Sequence, residues 1–222
     1  MRTGAHLTLL ALLLVLVAVP VATATDPTSK TPAQITEFYS SGAWNKAVTK
    51  QAKKAKAWLE KRTSARKAPK KPALVLDIDE TSLNNYPCFV EKGGIPYDSA
   101  INAGCVVAYD APAIKPTLGL YKRAKALGVK VFFVTGRPEA ESLRTGTIKN
   151  LHDAGYKGKI ELTMTPSGYA DESLVPYKSG ARRKIQKRGF KILANVGDQQ
   201  SDLRGGFSER TYKLPNPIYF TP

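Results

Sequence analysis

Four aspartates stand where carboxylate chemistry can be done. Asp77 and Asp79 lie in Leu-Asp-Ile-Asp-Glu-Thr (76–81), and Asp198 and Asp202 in Gly-Asp-Gln-Gln-Ser-Asp (197–202). Gathered in one cleft, their charges would repel unless they shared a cation. Oxygen-only ligands favour a hard ion such as magnesium. Beside a phosphoryl group, such an ion neutralises charge and aligns the group for in-line attack. Other chemistries lack their residues. His6 falls in a leading segment that reads as a cleaved signal, so only His152 is left for a mature chain. That excludes sites needing two histidines, including most histidine-rich zinc sites. There is no Gly-x-Ser-x-Gly elbow, no Gly-x-x-x-x-Gly-Lys loop and no Gly-x-Gly-x-x-Gly after a strand, which removes serine-triad, P-loop and dinucleotide readings. His152 falls within a helical pattern and reads as a surface residue.

The aspartates must be positioned by strands. Ala-Leu-Val-Leu (73–76) is apolar without alternation, as in a strand buried on both faces. Val-Lys-Val-Phe-Phe-Val (129–134) is a second, followed by Thr135-Gly136-Arg137. Residues 160–164 form a third, and residues 191–196 a fourth, ending at Gly197-Asp198. Helical patterns fall between them at 116–127, 139–152 and 180–188. Alternating strands and helices predict a Rossmann-like α/β three-layer sandwich with a mostly parallel sheet. Such a sheet brings the ends at Asp77, Thr135 and Asp198 to one edge, where ligands of open α/β sheets bind. Trp44, Val48, Ala52, Ala55 and Leu59 recur at helical spacing ahead of the first strand, within N-terminal helices placed at 32–66. Residues 82–115 are rich in Asn, Gly, Pro and Tyr and show no period, so they read as a small cap-like insert.

The 222 residues suit one domain, placed at 25–222. Arg2, an apolar run over 7–19 and Ala22-Thr-Ala24 follow the order of a secretory signal, 1–24, cleaved after Ala24. The alternative is an uncleaved anchor, for which the apolar run is short. A cleaved chain is expected to be secreted and to have no stable membrane span. Cys88 and Cys105 are the only cysteines. In an oxidising compartment they read as a disulfide, the alternative being two buried thiols. The formal net charge is +16. It is concentrated in residues 46–71, with 11 basic residues and one acid, and in 178–191, with seven basic residues and none acidic. Such stretches either solvate helix faces or attract anionic polymers weakly. The first follows helical spacing and favours the solvated face.

The ordered set of strand–Asp-Ile-Asp-Glu-Thr, strand–Thr-Gly-Arg, a lysine in a basic segment and strand–Gly-Asp-Gln-Gln-Ser-Asp resembles the haloacid dehalogenase-like superfamily. More narrowly, the chain is similar to the class B-type acid phosphatases and the plant vegetative storage proteins. The likeness covers roughly residues 35–222. It is carried by Leu-Asp-Ile-Asp-Glu-Thr-Ser-Leu-Asn-Asn-Tyr-Pro (76–87), Phe-Phe-Val-Thr-Gly-Arg-Pro (132–138), Tyr-Lys-Ser-Gly-Ala-Arg (177–182), Val-Gly-Asp-Gln-Gln-Ser-Asp-Leu (196–203) and Glu-Arg-Thr-Tyr-Lys-Leu-Pro-Asn-Pro (209–217). The resemblance implies a phosphate monoester substrate and Mg2+. It makes Asp77 the nucleophile and Asp79 the acid and base. Thr135, with Gly136 beside it, would bind the phosphoryl group, and Lys178 would balance charge there and on Asp77. Asp198 would hold the ion with Asp77 and the Asp79 backbone carbonyl, and Asp202 would complete the shell. Each role has a plainer rival: Asp198 and Thr135 as helix caps, Lys178 as one of seven neighbouring cations. Arg137 is assigned to neither substrate nor surface. The rival function is a catalytically weak storage or anion-binding protein on the same fold, a reading that retention of Asp77 weighs against.

Overall fold

The computed structural model describes residues 30–221; the signal-like segment 1–24 lies outside them. Two helices lead, α1 (Pro32–Ser40) and α2 (Ala43–Thr63). Thr31 opens α1 through a capping box with Gln34. The apolar stripe of α2 buries Trp44, Val48, Ala52, Ala55 and Leu59, as its spacing requires. The chain then enters β1 (Pro72–Leu76), followed by α3 (Tyr86–Glu91), α4 (Ser99–Ala108) and α5 (Lys115–Ala126). After these come β2 (Lys130–Pro138), α6 (Glu141–Asp153), β3 (Glu161–Thr165) and α7 (Val175–Lys187). The chain ends with β4 (Lys191–Gly197), the short α8 (Gln200–Leu203) and β5 (Arg210–Lys213).

The strands form one sheet in the order β3-β2-β1-β4-β5, and every pairing is parallel. Period-two alternation divides the core between two faces. Leu74, Leu76, Val131, Phe133 and Val196 face α2 and α5, while Ala73, Val75, Phe132, Val134 and Ile192 face Ala181 and Ile185 of α7. This is the three-layer α/β arrangement the alternation of elements predicts. A fifth strand, Arg-Thr-Tyr-Lys (210–213), was not among the four expected. The basic helix starts at Val175 rather than Gly180, because Pro176 fits its first turn. That places Lys178 inside the helix.

The insert between β1 and α5 folds as two short helices, α3 and α4. Cys88 and Cys105 are joined in a disulfide across them, with Cα atoms 5.8 Å apart. Its apolar side, Phe89 and Cys105, packs on Ile35 and Ile218. Closing a loop of 17 residues restricts the unfolded chain. Replacing both cysteines with alanine is expected to lower unfolding free energy by about 2–4 kcal/mol, read by denaturant titration.

Candidate active site

Asp77 follows β1 directly, and its N–H donates to the Val196 carbonyl of the adjacent β4 (3.0 Å). The strand-to-loop turn beyond it is tightly held. The Ile78 carbonyl accepts from Ser82 N (2.7 Å) and Leu83 N (2.8 Å), and Ser82 Oγ donates to the Asp77 carbonyl (2.6 Å). Glu80 takes φ +50°, a conformation rare for a side chain of its size. β4, alongside β1, carries the chain to Asp198 at the same edge of the sheet. Gly197 ends that strand. A Cβ there would lie 2.2 Å from the Asp202 Cβ, so only glycine lets Asp202 turn back toward Asp77.

Asp77, Asp198 and Asp202 each present a carboxylate oxygen within 4.8 Å of the others, and all are buried. Lys178, buried on the first turns of α7, reaches into this group. Its ammonium donates to Asp77 Oδ1 (3.1 Å) and to Asp202 Oδ1. Asp198 accepts from Thr81 Oγ1 (2.7 Å), Gln199 Nε2 (2.6 Å) and Asn216 Nδ2 (2.9 Å). Asp202 Oδ2 accepts from Gln199 N (2.7 Å), and Arg182 donates to the Asp202 carbonyl. Lys213 donates to the Asp198 and Leu214 carbonyls.

Three carboxylates against one ammonium leave an excess of negative charge in a buried site. Burial and the neighbouring Asp202 push the carboxyls of Asp77 and Asp198 above the ordinary range. Burial works against the Lys178 ammonium too, but Asp202 and Asp77 overcome it and hold the charge on. The donor set and its charge fit a hard divalent cation: oxygen ligands, close convergence and an uncompensated negative surplus.

Asp79 stands apart. Its carboxylate faces Arg137, accepting from Nη2 (2.7 Å) and Nε (3.0 Å), and takes a further bond from Asn85 Nδ2 (2.9 Å). Burial alone would raise its pKa, but the Arg137 guanidinium and these hydrogen bonds outweigh it and hold the carboxyl below its usual range. Thr135 is buried within β2, where its Oγ1 accepts from Arg137 N (3.2 Å). It caps no helix, since the N-cap of α6 is Ala140. Asp198 is not a cap either, because α8 is capped by Gln199. His152 is half-buried near the end of α6, away from these groups.

A cavity of about 410 Å³ opens above the carboxylates. Asp77, Asp79, Lys178 and Asp198 line its floor with Gly136 and Arg137, while α4 and Tyr219 supply apolar wall. Several supporting residues were missed from sequence. Arg137 holds Asp79, and Asn216 holds Asp198. Glu80 binds the C-terminal segment through the Tyr219 hydroxyl and accepts from Asn85 N (2.9 Å). Burial, with the charges of Asp79 and Asp198, raises the Glu80 pKa to about 8. The Glu80 and Asn216 signals were already in the quoted segments 76–87 and 209–217, as polar residues of no assigned role.

Comparison with known proteins shows the family and the fold. The family model described as HAD superfamily, subfamily IIIB (Acid phosphatase) matches residues 15–222. Acid phosphatase 1 of Solanum lycopersicum is 36% identical over 154 residues, 66% of this chain and 58% of that protein. The stem 28 kDa glycoprotein of Glycine max is 36% identical over 160 residues, 68% of this chain and 60% of its own length. Vegetative storage protein 1 of Arabidopsis thaliana is 30% identical over 151 residues, 67% of this chain and 55% of its own. The matches thus span less than two thirds of these relatives. The class C acid phosphatase of Bacillus anthracis superposes with a TM-score of 0.66 at 22% identity, covering 85% of this chain and 86% of that one, a likeness of fold.

Proposed function

Because the chain belongs to subfamily IIIB of the HAD superfamily, the acid phosphatase family, we propose that it hydrolyses phosphate monoesters through a phospho-aspartyl intermediate on Asp77, with magnesium held by Asp77, Asp198 and Asp202. The observation that carries this reading is the buried trio of carboxylates, joined by Lys178 at the floor of an open cavity. A bound magnesium ion would supply charge neutralisation of the phosphoryl oxygens.

Asp77 Oδ attacks phosphorus, and the ester P–O bond breaks as the Asp77–phosphorus bond forms. Lys178, Thr135 and the N–H groups around Gly136 hold the phosphoryl oxygens. The departing oxygen takes a proton from Asp79. Water then attacks phosphorus, its proton passes to Asp79, and phosphate leaves with Asp77 restored. The Arg137 pair keeps Asp79 ionised, which suits it to the second half. Donating a proton in the first half requires that pair to open as substrate enters. The Asp79 main chain stays available to the ion while its carboxylate works elsewhere.

Export follows from the charged start, apolar run and Ala22-Thr-Ala24 order of the sequence. Among the described residues, no helix is long and apolar enough to cross a membrane.

Phosphate release from a panel of monoesters tests the function. Chelation is expected to reduce release to background, and millimolar magnesium to restore it. A metal-replete sample silent on every ester would replace this reading with the storage or anion-binding one. Asn216 gives a second prediction. Asn216→Ala removes one of the donors that orient Asp198. It is expected to weaken magnesium binding roughly 10–100-fold, read by calorimetry and by the ion's effect on thermal midpoint.

A further inference from the structure

The second feature of the molecule lies at the opposite edge of the sheet. Because all strands are parallel, their N-terminal ends share one edge, away from the carboxylates. Four neighbouring strands begin there with a cation. Lys71 precedes β1, Lys130 opens β2, Lys191 opens β4, and Lys159 comes two residues before β3. The register sets them within two residues of level. Ala73 pairs with Lys130, Pro72 with Lys191, and Phe132 with Glu161. Lys191 N also donates to the Lys71 carbonyl (2.8 Å). At a strand spacing of about 4.8 Å, the row runs roughly 14 Å.

The turns at this edge add Lys70, Lys187 and Arg188, making seven cations, with Glu161 the acid set among them. Glu161 lies within 4.0 Å of Lys130, Lys159 and Arg188 at once and neutralises only one of them. Glu209 is engaged by Arg62 beside the start of β5. No other acid relieves the row from its own segments: none occurs between Glu60 and Asp77, or between Glu172 and Asp198. Lys70, Lys71, Lys159, Lys187, Arg188 and Lys191 are exposed. The end of the first basic stretch, Lys70-Lys71, and the end of the second, Lys187 to Lys191, separate in the chain, therefore meet at this edge.

From this arrangement we infer that the N-terminal edge of the sheet is a docking surface for duplex nucleic acid, held by its phosphates without sequence preference. Three observations choose this partner. The row is linear and set on strand ends, so its spacing is fixed. A stiff duplex meets it with little loss of freedom, whereas a flexible polyanion must be straightened. Six of the seven cations are lysines, point charges suited to phosphates, and the one guanidinium, Arg188, is engaged by Glu161 and Phe190. The ring of Phe190 already has Lys71 and Arg188 over it (5.7 and 5.6 Å), so a stacking base would have to displace a cation. The surface is remote from the cavity, so docking leaves the carboxylate site open. This inference does not rest on the phosphatase reading.

The test is fluorescence anisotropy of a duplex of about 20 base pairs, titrated with the full chain across roughly 50–200 mM salt. Binding is expected to fall steeply with salt. The variant Lys70→Gln/Lys71→Gln/Lys130→Gln/Lys191→Gln should weaken binding at least about tenfold and reduce the log–log salt slope by roughly three. A charge-matched control on the outer face of α2, Lys46→Gln/Lys50→Gln/Lys53→Gln/Lys56→Gln, should change affinity less than about threefold. Thermal midpoints check that both variants fold. The proposal is overturned by absent binding at the lowest salt, by an edge variant that binds like the parent, or by a control that loses as much as the edge variant. It is equally overturned if linear polyphosphate of matched charge competes on equal terms with the duplex.

Discussion

Asp77→Asn is expected to lower turnover of a chromogenic phosphate monoester by roughly 10⁴-fold or more, with the fold intact. The amide is isosteric but cannot attack phosphorus. The structure explains why folding should survive. Asp77 sits among Asp198 and Asp202, and burial and their charges already disfavour its ionised form. Removing one negative charge from that group relieves repulsion, while Lys178 keeps its bond to Asp202. Steady-state phosphate release and a thermal melt together read this. Wild-type turnover in the variant would remove Asp77 from the chemistry.

Lys178→Met should be costly in both respects. Its ammonium is buried between Asp77 and Asp202, with side-chain exposure near 5%. Breaking a buried ion pair by removing one partner costs about 3–5 kcal/mol, because the remaining charges are left uncompensated. Turnover should fall by roughly 10²–10³-fold through loss of charge stabilisation at the phosphoryl group. The diagnostic lies in the coupling to the metal. Magnesium should raise the thermal midpoint of the variant more than that of the parent, since the ion replaces the missing positive charge. An equal rise in both would show that no cation shares the carboxylate group with Lys178.

How much of this was legible in the sequence follows from how each element is stabilised. The four inner segments of the sheet were readable because strands buried on both faces must be continuously apolar, as Ala-Leu-Val-Leu (73–76) is. β5 was not, since only Tyr212 of its four residues is buried and its pairing comes from β4 alone. The insert hid α3 and α4 because short helices carry little periodicity, and theirs are stapled by Cys88–Cys105. Convergence of Asp77 with Asp198 followed from parallel strand ends. The choice of Lys178 among neighbouring cations rested on family likeness alone. The structure supplies the physical distinction: Lys178 and Arg182, four residues apart, point inward, while Arg183, Lys184, Lys187 and Arg188 are exposed. The bonds of Arg137 to Asp79 and of Asn216 to Asp198 span 58 and 18 residues, a separation no local pattern encodes.

The segment after β5 has a consequence for how the protein tolerates cleavage. Asn216 and Tyr219 reach back to Asp198 and Glu80, and Thr221 N donates to Gln199 Oε1 (3.0 Å). Asp198 therefore depends for its orientation on a residue 18 positions further along the chain. A chain cut between Asp202 and Asn216 would keep all four aspartates yet lose the amide that orients Asp198. A protease acting near Leu214 would thus disturb the carboxylate group without touching any of its members.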